Sequence, residues 1–111
     1  MALIPEPYPN GMLVLSRSAG QAFIVDESIV FTVWRIGTIR ATLVRTTEEM
    51  PLGTEVEIHV DGLHDIGPGL AAVMFPCRPG RIRIGVVASA ERHIRRLNAF
   101  ERPRRPHPPS P

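Results

Sequence analysis

At 111 residues the chain fits one small domain, and its proline-punctuated ends (Pro5, Pro7 and Pro9; Pro103, Pro106, Pro108, Pro109 and Pro111) leave about ninety residues for regular structure. One cysteine, Cys77, excludes an internal disulfide and an all-cysteine metal cage; with no basic-then-apolar leader and no apolar run of about eighteen residues, the expectation is a cytoplasmic protein without a membrane partner. All 13 basic side chains are Arg, and the formal charge of +2 hides a polarity: four Arg against nine carboxylates in residues 1–77, then nine Arg against two in 78–111.

Residues 1–11 alternate proline with other types and predict an extended, disordered arm. A first strand is predicted over residues 12–17, closed by Ser18-Ala19-Gly20, where Gly20 supplies a positive φ. Period-two alternation puts Leu13, Leu15 and Arg17 on one side and Val14 and Ser16 on the other. A second strand runs from Gln21 to Val25 and stops at the acidic turn Asp26-Glu27-Ser28. A third, rich in β-branched and aromatic types, covers Ile29 to Ile36.

Between about Gly37 and Pro79 the pattern predicts more strands and no linker. Ile39, Ala41 and Leu43 alternate with Arg40 and Thr42, and Val56, Ile58 and Val60 alternate with Glu55, Glu57 and His59. Turn chemistry follows each run, at Thr46 to Gly53 and at Asp61-Gly62. Leu70 to Phe75 is continuously apolar, bracketed by Pro68 and Pro76, and too short to type by period. The middle therefore predicts a hairpin plus a third segment, extending a sheet or forming a lobe beside it.

Arg81-Ile82-Arg83-Ile84-Gly85 predicts a further strand with the isoleucines on one face and the arginines on the other. Beyond it, Ser89 is a plausible N-cap and Ile94 and Leu97 lie one helical turn apart, while Pro103 stops any helix at about Arg102. Residues 12–102 form a single domain in this reading, 103–111 a disordered Pro/Arg-rich tail, and no internal repeat is evident.

The string Met12-Leu13-Val14-Leu15-Ser16-Arg17 with its Gly20 turn, its continuation Phe23 to Trp34, and Arg81 to Ala88 in that order together resemble the carbon storage regulator (CsrA/RsmA) family of bacterial mRNA-binding proteins. The resemblance covers about 12–36 and 80–98, interrupted by an insertion at about 37–79. It implies a mainly β fold: a small five-stranded CsrA-like sheet enlarged by the strand-rich insertion, a short C-terminal helix, and an interleaved homodimer. In that arrangement the first strand of one protomer lies beside the last strand of the other. RNA-binding positions map by resemblance onto Leu15 and Arg17 of the first strand and Ile94 and Arg96 of the last, with Arg92 and Arg95 as auxiliary phosphate contacts. The resemblance also places a short strand ending near Arg96, with a helix only afterwards. This chain departs from the family at Ser18, where a second Arg is common, at Ser89, where Pro is usual, at Arg92-His93, where the strand is normally apolar, and at Leu97-Asn98, where an acidic pair is usual.

The implied function is post-transcriptional regulation: binding of single-stranded GGA-type loops in mRNA leaders, which alters translation initiation or message stability, with an antagonist small RNA as a further partner. Unpaired base edges suit a strand margin, where guanidinium groups neutralise phosphate and meet guanine while aliphatic side chains pack beneath a base. No bond is made or broken, so neither an enzyme nor a cofactor is expected. The alternative is a scaffold of the same kind acting as a protein-interaction module without RNA binding, using the acidic first two-thirds. Glu57, His59, Asp61, His64 and Asp65 are metal-ligand types without a recognised spacing and read as polar strand and loop positions. Cys77, between Pro76 and Arg78, has no base placed beside it by sequence.

Overall fold

The structure is a computed structural model that describes residues 12–88 and 92–97, the side chains of Pro76 and Cys77 excepted. The arm 1–11, the tail 103–111, Ser89 and the segment expected to be helical after Arg96 lie outside the described residues. Among those described there are nine strands and no helix: β1 (Met12–Ser18), β2 (Ala22–Val25), β3 (Ile29–Ile36), β4 (Arg40–Thr46), β5 (Thr54–His59), β6 (His64–Gly67), β7 (Leu70–Arg78), β8 (Arg81–Ala88) and β9 (Ile94–Leu97). They form two antiparallel sheets, one ordered β1-β8-β7-β6 and the other β5-β4-β3-β2-β9.

Alternation decides which face each strand buries. Leu15 of β1, Ile82, Ile84 and Val86 of β8 and Met74 of β7 come from one sheet, and Phe23, Val25, Phe31, Val33, Leu43 and Ile58 from the other. All join a single core between the sheets. Phe23 stacks on Phe31 with ring centroids 5.0 Å apart, and full burial of each ring contributes about 1.5–3 kcal/mol. β2 is buried on both sides, because Ala22 and Ile24 join Leu97 of β9 in a second cluster while Phe23 and Val25 face the main core.

The two sheets are related by a simple rule. Advancing every strand number by four, cyclically over eight, converts the order β1-β8-β7-β6 into β5-β4-β3-β2. The chain is therefore two structural halves, β1 to β4 and β5 to β8, that have exchanged their first strands: β1 pairs with β8, and β5 pairs with β4. The registers of the two exchanged pairings agree. The pairs Leu13–Val86 and Leu15–Ile84 in one sheet correspond to Val56–Leu43 and Ile58–Ala41 in the other, and one constant shift in residue number carries Leu13, Leu15, Ala41 and Leu43 onto Val56, Ile58, Ile84 and Val86. β9 stands outside the repeat, as a fifth strand beside β2.

Of the two arrangements expected for the middle of the chain, the structure has the sheet-extending one: residues 37–79 form no separate lobe but supply β4 of one half and β5, β6 and β7 of the other, and no sheet is complete without them. β6 was not expected at all. The segment before Leu97 is a strand and not the helix that local propensity favours, because Ala22, Phe23, Ile24 and Val25 pair with Leu97, Arg96, Arg95 and Ile94.

Strand exchange makes each half incomplete by itself. Cleavage in the exposed Glu48–Leu52 stretch of the β4–β5 loop is expected to leave the two fragments associated. Each fragment purified alone is expected to lose its β-sheet circular dichroism, and mixing is expected to restore it; fragments that stay folded when separated would contradict the exchanged pairing.

Candidate nucleic-acid interface

β1 and β9 are the end strands of different sheets, so each has one side along which no described strand is paired. The four residues implied by resemblance lie on these two strands. Leu15 and Arg17 point inward from β1. Ile94 and Arg96 lie opposite Val25 and Phe23 in register, so they project from the core-facing side of β9. Ile94 packs against the same core cluster that contains Leu15. The chain thus brings first and last strand together within itself.

The roles of the four differ. Leu15 is only 1% exposed and belongs to the core, so its side chain forms the floor and is not a surface on which a base can stack. Arg17 is 8% exposed, and its guanidinium donates to three carbonyl oxygens: Ser16 at 2.8 Å, Ala22 at 3.1 Å and Leu97 at 3.4 Å. It fastens β1, from one sheet, to β2 and β9 of the other. Arginine suits this, because its planar fork carries five donors and stays charged when desolvated. Burial lowers its pKa, and the neighbouring Arg96 and Arg81 lower it further. Arg96 is exposed; its carbonyl accepts from Arg95 at 3.2 Å, while its guanidinium makes no hydrogen bond or ion pair among the described residues. Arg81 reaches the Ser18 hydroxyl at 3.4 Å, and Arg83, two residues on along β8, is exposed.

The auxiliary cations are engaged elsewhere. The β2–β3 turn holds Asp26 and Glu27 in left-handed conformation, φ 55 and 56, which costs energy for residues with a Cβ. Contacts to the chain entering and forming β9 offset that cost. Asp26 accepts from the His93 backbone N–H at 2.9 Å and from Arg92 Nε at 2.8 Å, and its own N–H donates to the His93 carbonyl at 2.7 Å. Glu27 accepts two bonds from Arg95, at 2.6 and 3.0 Å. Arg92 also donates to the Pro68 carbonyl at 2.8 Å, in the β6–β7 turn. Arg92 and Arg95 are therefore anchors of β9. The polarity between the acidic front and basic end of the chain foreshadowed this contact, though spacing alone did not select the partners.

The His93 N–H bond lowers the Asp26 pKa from its ordinary 3.8, outweighing a smaller opposing effect of burial, and Arg92 and the His93 charge lower it further. A depressed carboxylate pKa stabilises the fold above the unfolded value and stops doing so as pH falls through the folded value. The anchoring of β9 is expected to weaken in acid below 3.8, read as loss of amide-exchange protection over Ile94–Leu97. Asp26→Asn, which tolerates the left-handed backbone, is expected to lower that protection at neutral pH and to remove the acid step.

No protein-family model, curated protein or solved structure matches this chain, and the functional reading rests on its residue pattern and on the geometry of the β1 and β9 margins.

Proposed function

We propose that this protein is an RNA-binding post-transcriptional regulator that holds single-stranded GGA-type loops of mRNA leaders along the β1 and β9 margins and thereby alters translation initiation or message stability. One observation carries the reading. Two unpaired strand margins from different sheets are brought together in one chain, and burial together with the neighbouring charges of Arg96 and Arg81 lowers the pKa of the Arg17 guanidinium there. Like charges gathered without a carboxylate among the interactions of Arg17 favour a polyanion.

In this reading Arg96 meets phosphate or a guanine edge, Ile94 packs beneath a base, and Arg17 holds the two margins in place while adding charge. Leu15 contributes through the backbone of β1 and not through its side chain. Single strands are read by such margins because unstacked bases expose their hydrogen-bonding edges to backbone and side-chain groups together. The two strands that the resemblance would draw from different protomers meet within one chain, where Arg17 of β1 donates to the Leu97 carbonyl of β9. A second margin equivalent to β1 with β9 is lacking among the described residues, because the four-stranded sheet has no fifth strand beside β6. The stoichiometry is therefore one RNA per chain.

The alternative, a protein-interaction module, draws support from the core position of Leu15 and the carbonyl bonds of Arg17. A gel-shift titration with a GGA-loop hairpin separates the two. Binding is expected in 1:1 ratio to a particle of 12.3 kDa protein mass, weakening with salt at a logarithmic slope of about −0.7 per phosphate neutralised. Arg96→Ala is expected to lower affinity while leaving the melting temperature unchanged. Arg17→Ala is expected to lower affinity and also stability, by about 1–3 kcal/mol, since it strands two carbonyls. No shift at low salt, with a ribonuclease-resistant protein partner recovered from lysate, would support the interaction module instead.

A further inference from the structure

The β5–β6 turn leads from β5, the margin strand of the five-stranded sheet furthest in strand order from β9, into β6 of the other sheet, and the RNA reading makes no use of it. It gathers ligating side chains. His59 ends β5, His64 opens β6 and Asp61 lies between them, with one ligand atom from each inside a sphere where no pair is more than 4.8 Å apart. The two imidazoles sit with centroids 4.5 Å apart, tilted by 38°. His64 Nε2 lies 3.3 Å from Asp61 Oδ1, and His59 Nε2 lies 3.5 Å from Glu57 Oε1. The hairpin backbone is fixed by a bridge between His59 and Gly62 and by Val60 N–H donating to the Ile39 carbonyl at 3.1 Å.

The repeat shows that this geometry is built in. The shift that carries β1 onto β5 carries Ser16, Ser18 and Gln21 onto His59, Asp61 and His64, and Arg17 onto Val60. In the first half, Ser18 N–H donates to Gln21 Oε1 at 2.8 Å. In the second, the same two positions bring Asp61 and His64 together. The two positions thus meet in both halves, through the Ser18 backbone N–H and the Gln21 side chain in the first and through two side chains, carboxylate and imidazole, in the second.

We propose that His59, His64 and Asp61 bind a divalent transition cation of the zinc class. Two imidazole nitrogens with one carboxylate oxygen suit zinc and its borderline neighbours and not the hard, oxygen-seeking magnesium or calcium. β5 belongs to one sheet and β6 to the other. The ion therefore clips the sheets together on the side that β9 leaves unfastened.

The experiment is calorimetric titration of the metal-stripped full chain with zinc, and separately with magnesium. One zinc per chain is expected, with no magnesium binding, and zinc is expected to raise the melting temperature. His59→Gln, His64→Gln and Asp61→Asn are each expected to lower zinc affinity by at least about tenfold, the loss that even supporting groups of metal sites cause. The double His59→Gln/His64→Gln variant is expected to lose binding and the thermal gain while keeping its β-sheet circular dichroism. These side chains are partly solvent-exposed, at 28% for His59, 38% for His64 and 58% for Asp61, so the fold does not rest on them. His93→Gln with His107→Gln is expected to leave binding intact. Absence of stoichiometric zinc binding, its persistence in the double variant, or its loss in the His93/His107 variant would each overturn the proposal.

Discussion

The exchange of first strands between the two halves is the constraint on which the other features depend. β1 crosses to pair with β8 and β5 crosses to pair with β4, so each sheet is built from both halves and one core serves both. Because β1 leaves its own half, it becomes the end strand of the opposite sheet, and the short turn through Gly20 then sets β2 in the other sheet, directly behind it. β9 pairs with β2, so the last strand necessarily arrives beside the first. The meeting of the chain's two ends is a consequence of strand exchange and needs no second protomer.

Arginine chemistry turns that meeting into an electropositive edge. The side of β1 that buries Leu15 must also bury Arg17, since alternation gives the two the same face. A buried cation without partners would be prohibitive; three carbonyl acceptors in fork geometry make it a fastening between sheets. Its charge is not neutralised by those carbonyls, and Arg81 and Arg96 add to it. The remaining cations of this region divide cleanly. Arg92 and Arg95 are committed to the acidic turn, and Arg96, between Arg95 and Leu97 on a strand whose faces alternate, projects to the side opposite Arg95.

Much of the strand content was legible because period-two alternation is local: β1, β2, β3 and the apolar positions of β5 and β8 read directly from residue types. β6 was not, since His64-Asp65-Ile66-Gly67 has a single buried apolar residue and a register shift between Asp65 and Gly67. β7 was ambiguous for the opposite reason, as an apolar run carries no period. For Ile94–Leu97 local propensity favoured a helix and distant pairing won, with β2 and the Asp26 turn supplying what the segment lacks itself. The repeat stayed hidden because the halves share strand order and the register of their exchanged pairs without sharing residues: Leu15 answers to Ile58, Ala41 to Ile84 and Arg17 to Val60. Sequence alternation did place Arg17 beside Leu15, but the carbonyls it binds come from Ala22 and from Leu97, eighty positions away.

The asymmetry between the halves follows from their turns. In the first half the β2–β3 turn carries Asp26 and Glu27, and those two carboxylates hold Arg92 and Arg95 and with them β9. In the second half the corresponding β6–β7 turn is Pro68-Gly69, with Gly69 at φ 70, and offers only the Pro68 carbonyl, itself taken by Arg92. A turn without carboxylates has nothing with which to hold a basic strand beside β6, so the repeated scaffold recruits its extra strand once. At the position equivalent to Arg17 the second half has Val60, and with no ninth strand to fasten, a buried guanidinium there would have desolvation to overcome and no carbonyl from such a strand to meet it. The absence of an acidic turn and the absence of the arginine in the second half thus go together. That leaves the second half's hairpin free to carry imidazoles where the first half carries serine and glutamine.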